Sequence, residues 1–164
     1  MEQVLASENV RKAWQRVKAN AGAPGIDGMT VDAFPAFCRK DWPRIRSALM
    51  EGTYRPAPVR RVFIPKPDGT QRPLGVPTVL DRVIQQALAQ VLSPLFEGGF
   101  SQSSYGFREG RNAHQAVREV EACWNEGRRY AVDCDIKSFF EIRSTTTGSW
   151  GSCGKRFGTA RCWA

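Results

Sequence analysis

Apolar positions recur at helical spacing early in the chain. Between residues 7 and 19, Val10, Ala13, Trp14 and Val17 share a face while Arg11, Arg16 and Lys18 fall elsewhere, which predicts an amphipathic helix. The period is lost in NAGAPGIDGMTVDAF, Asn20 to Phe34, where three glycines and a proline predict a loop. It returns with Trp42, Ile45 and Leu49, which predict a helix over Pro43–Met50, capped by Asp41 and ended by Gly52. From Val59 to Pro77 the period drops to two. Val62 and Ile64 point one way and Arg61 and Phe63 the other, and PDGT between the two runs predicts a β-hairpin whose prolines suit edge strands.

The longest helical pattern is TVLDRVIQQALAQVLSPLFEG. Thr78 is placed to cap it, with Asp81 three residues on, and Val83, Ile84, Ala87, Leu88, Val91 and Leu92 form a broad apolar stripe. FSQSSYGFREGRN reads as a loop. Asn112 then caps a further helix, with Ala113, Val117, Val120 and Trp124 expected to face inward and Gly127 to end it. Tyr130 to Ile136 alternates again, with Val132, Cys134 and Ile136 expected to face a core and Asp133 and Asp135 on the opposite face. Beyond Glu141 the apolar period disappears. Ile142 to Ala164 holds no Asp or Glu but carries Arg143, Lys155, Arg156 and Arg161. Helices and strands in this order give an α+β chain.

Composition narrows the class. The 164 residues suffice for one domain or a large part of one, and 41% hydrophobic with 24% charged residues is ordinary for a globular chain. No apolar run approaches a membrane span, and MEQVLASENVRKAW lacks a signal-peptide core, so a cytoplasmic protein is expected. The five cysteines form no C-x-x-C pair, which supports neither a zinc site nor a disulfide framework. A net charge of +8 points to a polyanionic partner, with nucleic acid first.

Three stretches carry candidate chemistry. Asp133 and Asp135 lie at i and i+2 on one strand face, where two carboxylates repel unless a cation such as Mg²⁺ sits between them; the alternative is a solvated strand end. Lys66 and Arg72 flank the hairpin turn, and folding brings both to one tip, suited to gripping a polyphosphate or, more plainly, to solvation. Tyr105 and Phe107 interleave with Arg108 and Arg111, a mixture that suits stacking and phosphate pairing on nucleic acid, or packing on the core. His114, the only histidine, reads as structural.

In order, GAPGIDGMT, IPKPDGTQRPLGVPTVLDRVIQQAL, SSYGFREGRNAHQAV and VDCDIKSFF closely resemble the reverse transcriptases encoded by group II introns, over roughly Asn20 to Phe140. The resemblance implies a partial right-hand polymerase fold, fingers plus the first palm strand, with the thumb absent. It divides the chain into an N-terminal extension and helical fingers (1–58), the hairpin, helices and start of the palm (59–141), and a tail outside the family pattern that is expected to be disordered (142–164). It implies that Asp135 is the catalytic, Mg²⁺-binding palm carboxylate and that the Ile136 carbonyl also ligates metal. It implies that Lys66 and Arg72 hold the dNTP triphosphate, that Phe140 excludes a 2′-hydroxyl, and that Asp133 is no ligand. The implied partners are group II intron RNA, an RNA template with a DNA primer, and dNTPs.

The tail departs from the family, which continues with an acidic, His-containing helix start and a second palm motif bearing further metal carboxylates. If Arg143 is CGT and Ser144 to Trp150 are TCG ACC ACG ACC GGC TCA TGG, a one-base shift gives Phe-Asp-His-Asp-Arg-Leu-Met, which resembles that continuation. A frameshift near Glu141 to Arg143 is therefore expected, and with it a chain that cannot itself polymerise. The alternative is a non-catalytic RNA-binding remnant of the maturase. A phosphatase of the D-x-D type fits VDCDIK superficially but leaves the hairpin unexplained.

Overall fold

A computed structural model describes residues 1–134 and the backbone of 161–163. The chain divides into two compact units, Met1–Phe100 and Ser101–Ala164.

The first unit is built on three helices. Helix α1 spans Ser7–Ala19, with Glu8 in its first turn and Arg16 and Lys18 in its last, each complementing the helix dipole. Helix α2 spans Phe34–Met50 and α3 spans Val79–Glu97. Their inward faces pool Ala13, Val17, Phe34, Ile45, Leu49, Val79, Val83, Ile84 and Ala87, with Val4 and Leu5 beside them, into one buried cluster. Ala13 and Val79 are fully buried, small side chains suited to close packing of α1 on α3. A polar clip spans the same pair of helices: Asn9 Nδ2 donates to the Ala87 carbonyl at 3.0 Å, and Gln90 Nε2 donates to Asn9 Oδ1 at 2.8 Å. The stripe expected on α3 is buried at Val83, Ile84 and Ala87 but runs out at Leu92, which is exposed.

Helix α2 begins nine residues before the predicted Pro43, at Phe34. Pro43 is tolerated inside it, at the loss of one backbone bond, because the added turns bury Phe34 and half-bury Phe37 and Cys38. Phe34 meets the Trp14 ring at 4.8 Å. The helix ends as Gly52 foretells. With φ at 71°, Gly52 lets its own N–H reach the Leu49 carbonyl and the Thr53 N–H reach that of Ala48 at 2.9 Å, a Schellman closure.

The hairpin forms as predicted. Strand β1, Arg60–Pro65, pairs antiparallel with β2, Gln71–Val76, with Arg60 opposite Val76 and Pro65 opposite Gln71. Both strands are exposed apart from half-buried Arg60 and Val76, so the prolines sit in a free two-stranded ribbon.

In the second unit, helix α4 spans Ala113–Asn125 and opens on a capping box between Asn112 and Gln115, with bonds of 2.9 and 3.0 Å. Its predicted inward stripe does not face inward. Val117, Val120 and Trp124 are 64%, 69% and 57% exposed, and the less exposed positions are Gln115, Ala116, Glu119 and Cys123. The spacing correctly marks an amphipathic helix; what would cover the stripe is missing from the described residues. Strand β3, Ala131–Asp133, shows the same departure. Val132 is 67% exposed and Cys134 is exposed, where a core was expected. Among the described residues β3 pairs only with β4, Arg161–Trp163, with Ala131 opposite Trp163 and Asp133 opposite Arg161, so no layer lies behind it. This pairing also draws three residues from the tail. The rest of the tail lies outside the described residues, as do Asp135, Ile136 and Phe140.

Candidate nucleotide and nucleic-acid site

The hairpin tip is shaped by local turn chemistry. Lys66 N–H donates to the Thr70 carbonyl at 2.7 Å, and Gly69, with φ at 79°, returns its N–H to the Lys66 carbonyl at 3.0 Å. Asp68 Oδ1 accepts from Thr70 N at 2.9 Å and from its hydroxyl at 2.6 Å. The hydroxyl bond, then the backbone bond, hold the Asp68 carboxyl below its usual range. Arg72 stands opposite Ile64, two residues before Lys66, so both cations emerge exposed at the same end of the ribbon. The expected juxtaposition is present, on a turn that fixes its own backbone.

The glycine-rich segment Asn20–Thr30 docks against the start of α3. A Cβ at Gly25 would lie 2.6 Å from the Thr78 Cα and 2.8 Å from its N, closer than any side chain permits. At Gly22 it would meet Arg82 Nη1 at 2.4 Å. Arg82 Nη2 donates to the Ala23 carbonyl at 2.7 Å. Gly25 is therefore required, because backbone meets backbone there, whereas at Gly22 the neighbour is the end of a flexible arginine side chain.

Beneath that contact lies Asp81, which the sequence marked only as part of the helix cap. Asp81 is 3% exposed, and its carboxylate accepts from the Tyr54 hydroxyl at 2.7 Å, the Thr78 hydroxyl at 2.7 Å and the Ala57 N–H at 3.2 Å. Thr78 in turn accepts from Asp81 N at 3.1 Å, so the expected cap is real. The acid does more than close it: it ties residues 54–57, which lead into the hairpin, to α3. Burial, and then the bond and charge of Asp81, push the Tyr54 phenol well above its ordinary value.

The loop before α4 is braced at several points. Arg108 Nη1 donates to the carbonyls of Ser101 at 2.7 Å and Ser104 at 2.9 Å. Arg111 donates to the Gln102 carbonyl at 3.1 Å and side chain at 2.8 Å, and its guanidinium lies 5.3 Å over the Tyr105 ring. The Tyr105 hydroxyl bonds Glu119, which also accepts from Ser103 Oγ at 2.6 Å. Those two bonds, Ser103 first, lower the Glu119 carboxyl, and the Glu119 bond raises the Tyr105 phenol. The structure thus brings Tyr105 and Arg111 together and sets Arg108 beneath the same loop.

No set of three His, Cys, Asp or Glu side chains suited to a metal occurs among the described residues. Asp133 alone represents the acidic strand there, and Asp135 and Ile136 lie outside the described residues.

Residues 64–142 match the family described as reverse transcriptase (RNA-dependent DNA polymerase). Protein YkfC of Escherichia coli is 37% identical over 125 residues, 74% of this chain and 33% of that protein. Group II intron-encoded protein LtrA of Lactococcus lactis subsp. cremoris is 36% identical over 130 residues, 79% of this chain and 21% of that protein. Nuclear intron maturase 1 of Arabidopsis thaliana is 44% identical over a shorter stretch of 46 residues. These matches support a fragment of a group II intron reverse transcriptase/maturase. It spans a third of YkfC and about a fifth of LtrA. No helix among the described residues is long and apolar enough to cross a membrane.

Proposed function

We propose that this chain is the fingers and first palm strand of an RNA-directed DNA polymerase that copies group II intron RNA into DNA and assists its splicing. The observation that carries the reading is the hairpin tip, where Lys66 and Arg72 emerge together from a self-ordered turn. In this role Lys66 supplies a point charge and Arg72 a fork to the triphosphate of an incoming dNTP, neutralising charge as pyrophosphate leaves. Tyr105, Arg108 and Arg111 belong to the surface that meets the RNA template, which is copied from a DNA primer. Asp135 is the proposed palm carboxylate for Mg²⁺, with the Ile136 carbonyl beside it and Phe140 against the sugar. A cytoplasmic setting is part of the same proposal.

The 164-residue polypeptide is proposed to be inactive by itself. Nucleotidyl transfer needs two metals roughly 3.5–4 Å apart, and one palm carboxylate does not hold both. The tail's tolerance of a one-base shift supports a frameshift near Glu141 to Arg143 as the cause. Primer extension on an RNA template with Mg²⁺ and dNTPs is expected to give no product with the purified chain; clear extension would overturn this. Sequencing the gene decides the frameshift, which fails if the tail's alternate frame holds no palm-like continuation. The second reading, an RNA-binding remnant, is favoured by the charge of +8. It predicts a salt-dependent affinity for structured RNA without synthesis.

A further inference from the structure

Phe107 occupies an unusual place in the braced loop. Its φ is 58°, in the left-handed region that bulky residues avoid, and its side chain is 114% exposed, more open than in an extended peptide. Strain of this kind persists only where the surroundings over-determine it. Here they do: Arg108 holds two carbonyls of the loop, Arg111 holds Gln102, and Tyr105 and Ser103 both close onto Glu119. The neighbouring aromatic is already committed. The Tyr105 hydroxyl is bonded and one face of its ring is covered by Arg111.

We propose that Phe107 is a stacking platform for an unpaired base of single-stranded RNA, and that Tyr105, Arg108 and Arg111 act mainly as the frame that presents it. The inference rests on the nucleic-acid reading above and assigns the contact within it. A phenyl face is sequence-tolerant because every base offers a π-face, which suits a surface that must accept any template. The positive charge on the same loop favours the adjoining phosphates.

The test uses the full chain and a short fluorescent single-stranded RNA, read by anisotropy, together with the same strand carrying abasic sites. Phe107→Ala and Phe107→Gly are expected to weaken binding by roughly 5- to 150-fold, with the slope of log affinity against log salt unchanged, because phosphate contacts are kept. Phe107→Trp retains affinity. Abasic RNA binds weakly to the wild-type chain and no worse to the alanine variant. Phe107→Gly relieves the positive φ and is expected to keep or raise the melting temperature, which separates a binding ring from a packing ring. Unchanged affinity in the alanine and glycine variants, or a lower melting temperature for Phe107→Gly, overturns the proposal while leaving RNA binding intact. Failure of the wild-type chain to bind RNA at all overturns both this proposal and the reading beneath it.

Discussion

Replacing Asp81 tests how the first unit is held together. In Asp81→Ala the Tyr54 hydroxyl, the Thr78 hydroxyl and the Ala57 N–H lose a common acceptor. The Thr78 oxygen still accepts from the backbone N–H of residue 81, so the helix cap survives. Three donors, on Tyr54, Thr78 and Ala57, are left without that acceptor, the Thr78 hydroxyl in a buried site. An unsatisfied buried donor costs about 1–3 kcal/mol, and the partial exposure of Tyr54 holds the expected total to about 3 kcal/mol. Against a typical domain stability of about 5–15 kcal/mol that is a large fraction. Urea unfolding followed by circular dichroism reads it directly. Tyr54→Phe removes one donor and is expected to cost about 1 kcal/mol. In the double variant the phenol penalty should vanish, so the two changes should be strongly non-additive. A loss below about 0.5 kcal/mol for Asp81→Ala, within the range of inert surface changes, would refute the reasoning, as would simple additivity.

Other outcomes follow from the same geometry. Gly25→Ala drives a methyl into the Thr78 backbone and should destabilise the first unit by at least about 2 kcal/mol, whereas Gly98→Ala, which meets nothing within 4 Å, should leave the urea midpoint nearly unchanged. Because the Tyr54 phenol is raised above its ordinary 10.0 in the folded chain, its contribution is intact below pH 10. Above that the unfolded chain releases the proton first, so stability should fall with rising pH, and fall less steeply in Tyr54→Phe. Gly69→Ala places a side chain at φ 79° and should loosen the hairpin tip by about 1 kcal/mol, seen as faster amide exchange at Lys66 and Gly69. Val120→Lys adds a charge to an exposed helical face and should leave stability within about 0.5 kcal/mol while raising solubility, measured by light scattering.

What could be read from the sequence was local. Thr78 with Asp81, Asn112 as a cap and the PDGT turn each write their geometry into a few adjacent residues, and each formed. The first half of α2 was hidden because it has no side-chain cap, starting from Ala33, and carries Pro43 in its interior. The stripe on α4 shows the opposite limit: spacing identifies an apolar face but cannot say whether anything covers it. Asp81 was recognised as a cap and missed as a hub, since nothing local announces that a tyrosine 27 residues upstream will share it. Of the candidate site, Lys66 and Arg72 were legible through the turn between them. For Phe107 the motif showed an aromatic beside cations, while its φ value and the bracing behind it needed coordinates. Asp135, Ile136 and Phe140, named through family resemblance, lie outside the described residues.

The free ribbon of β1 and β2 has a consequence for affinity. A two-stranded hairpin without a layer against it among the described residues is marginal in water, and the share of its paired form then matters. A ligand gripped at Lys66 and Arg72 needs the paired form, and its apparent dissociation constant rises as the inverse of that form's share. Turn residues far from any ligand atom, Asp68 and Thr70 among them, therefore set occupancy through the size of that share. Under the proposed function, a layer against the ribbon would tighten nucleotide binding without touching the nucleotide.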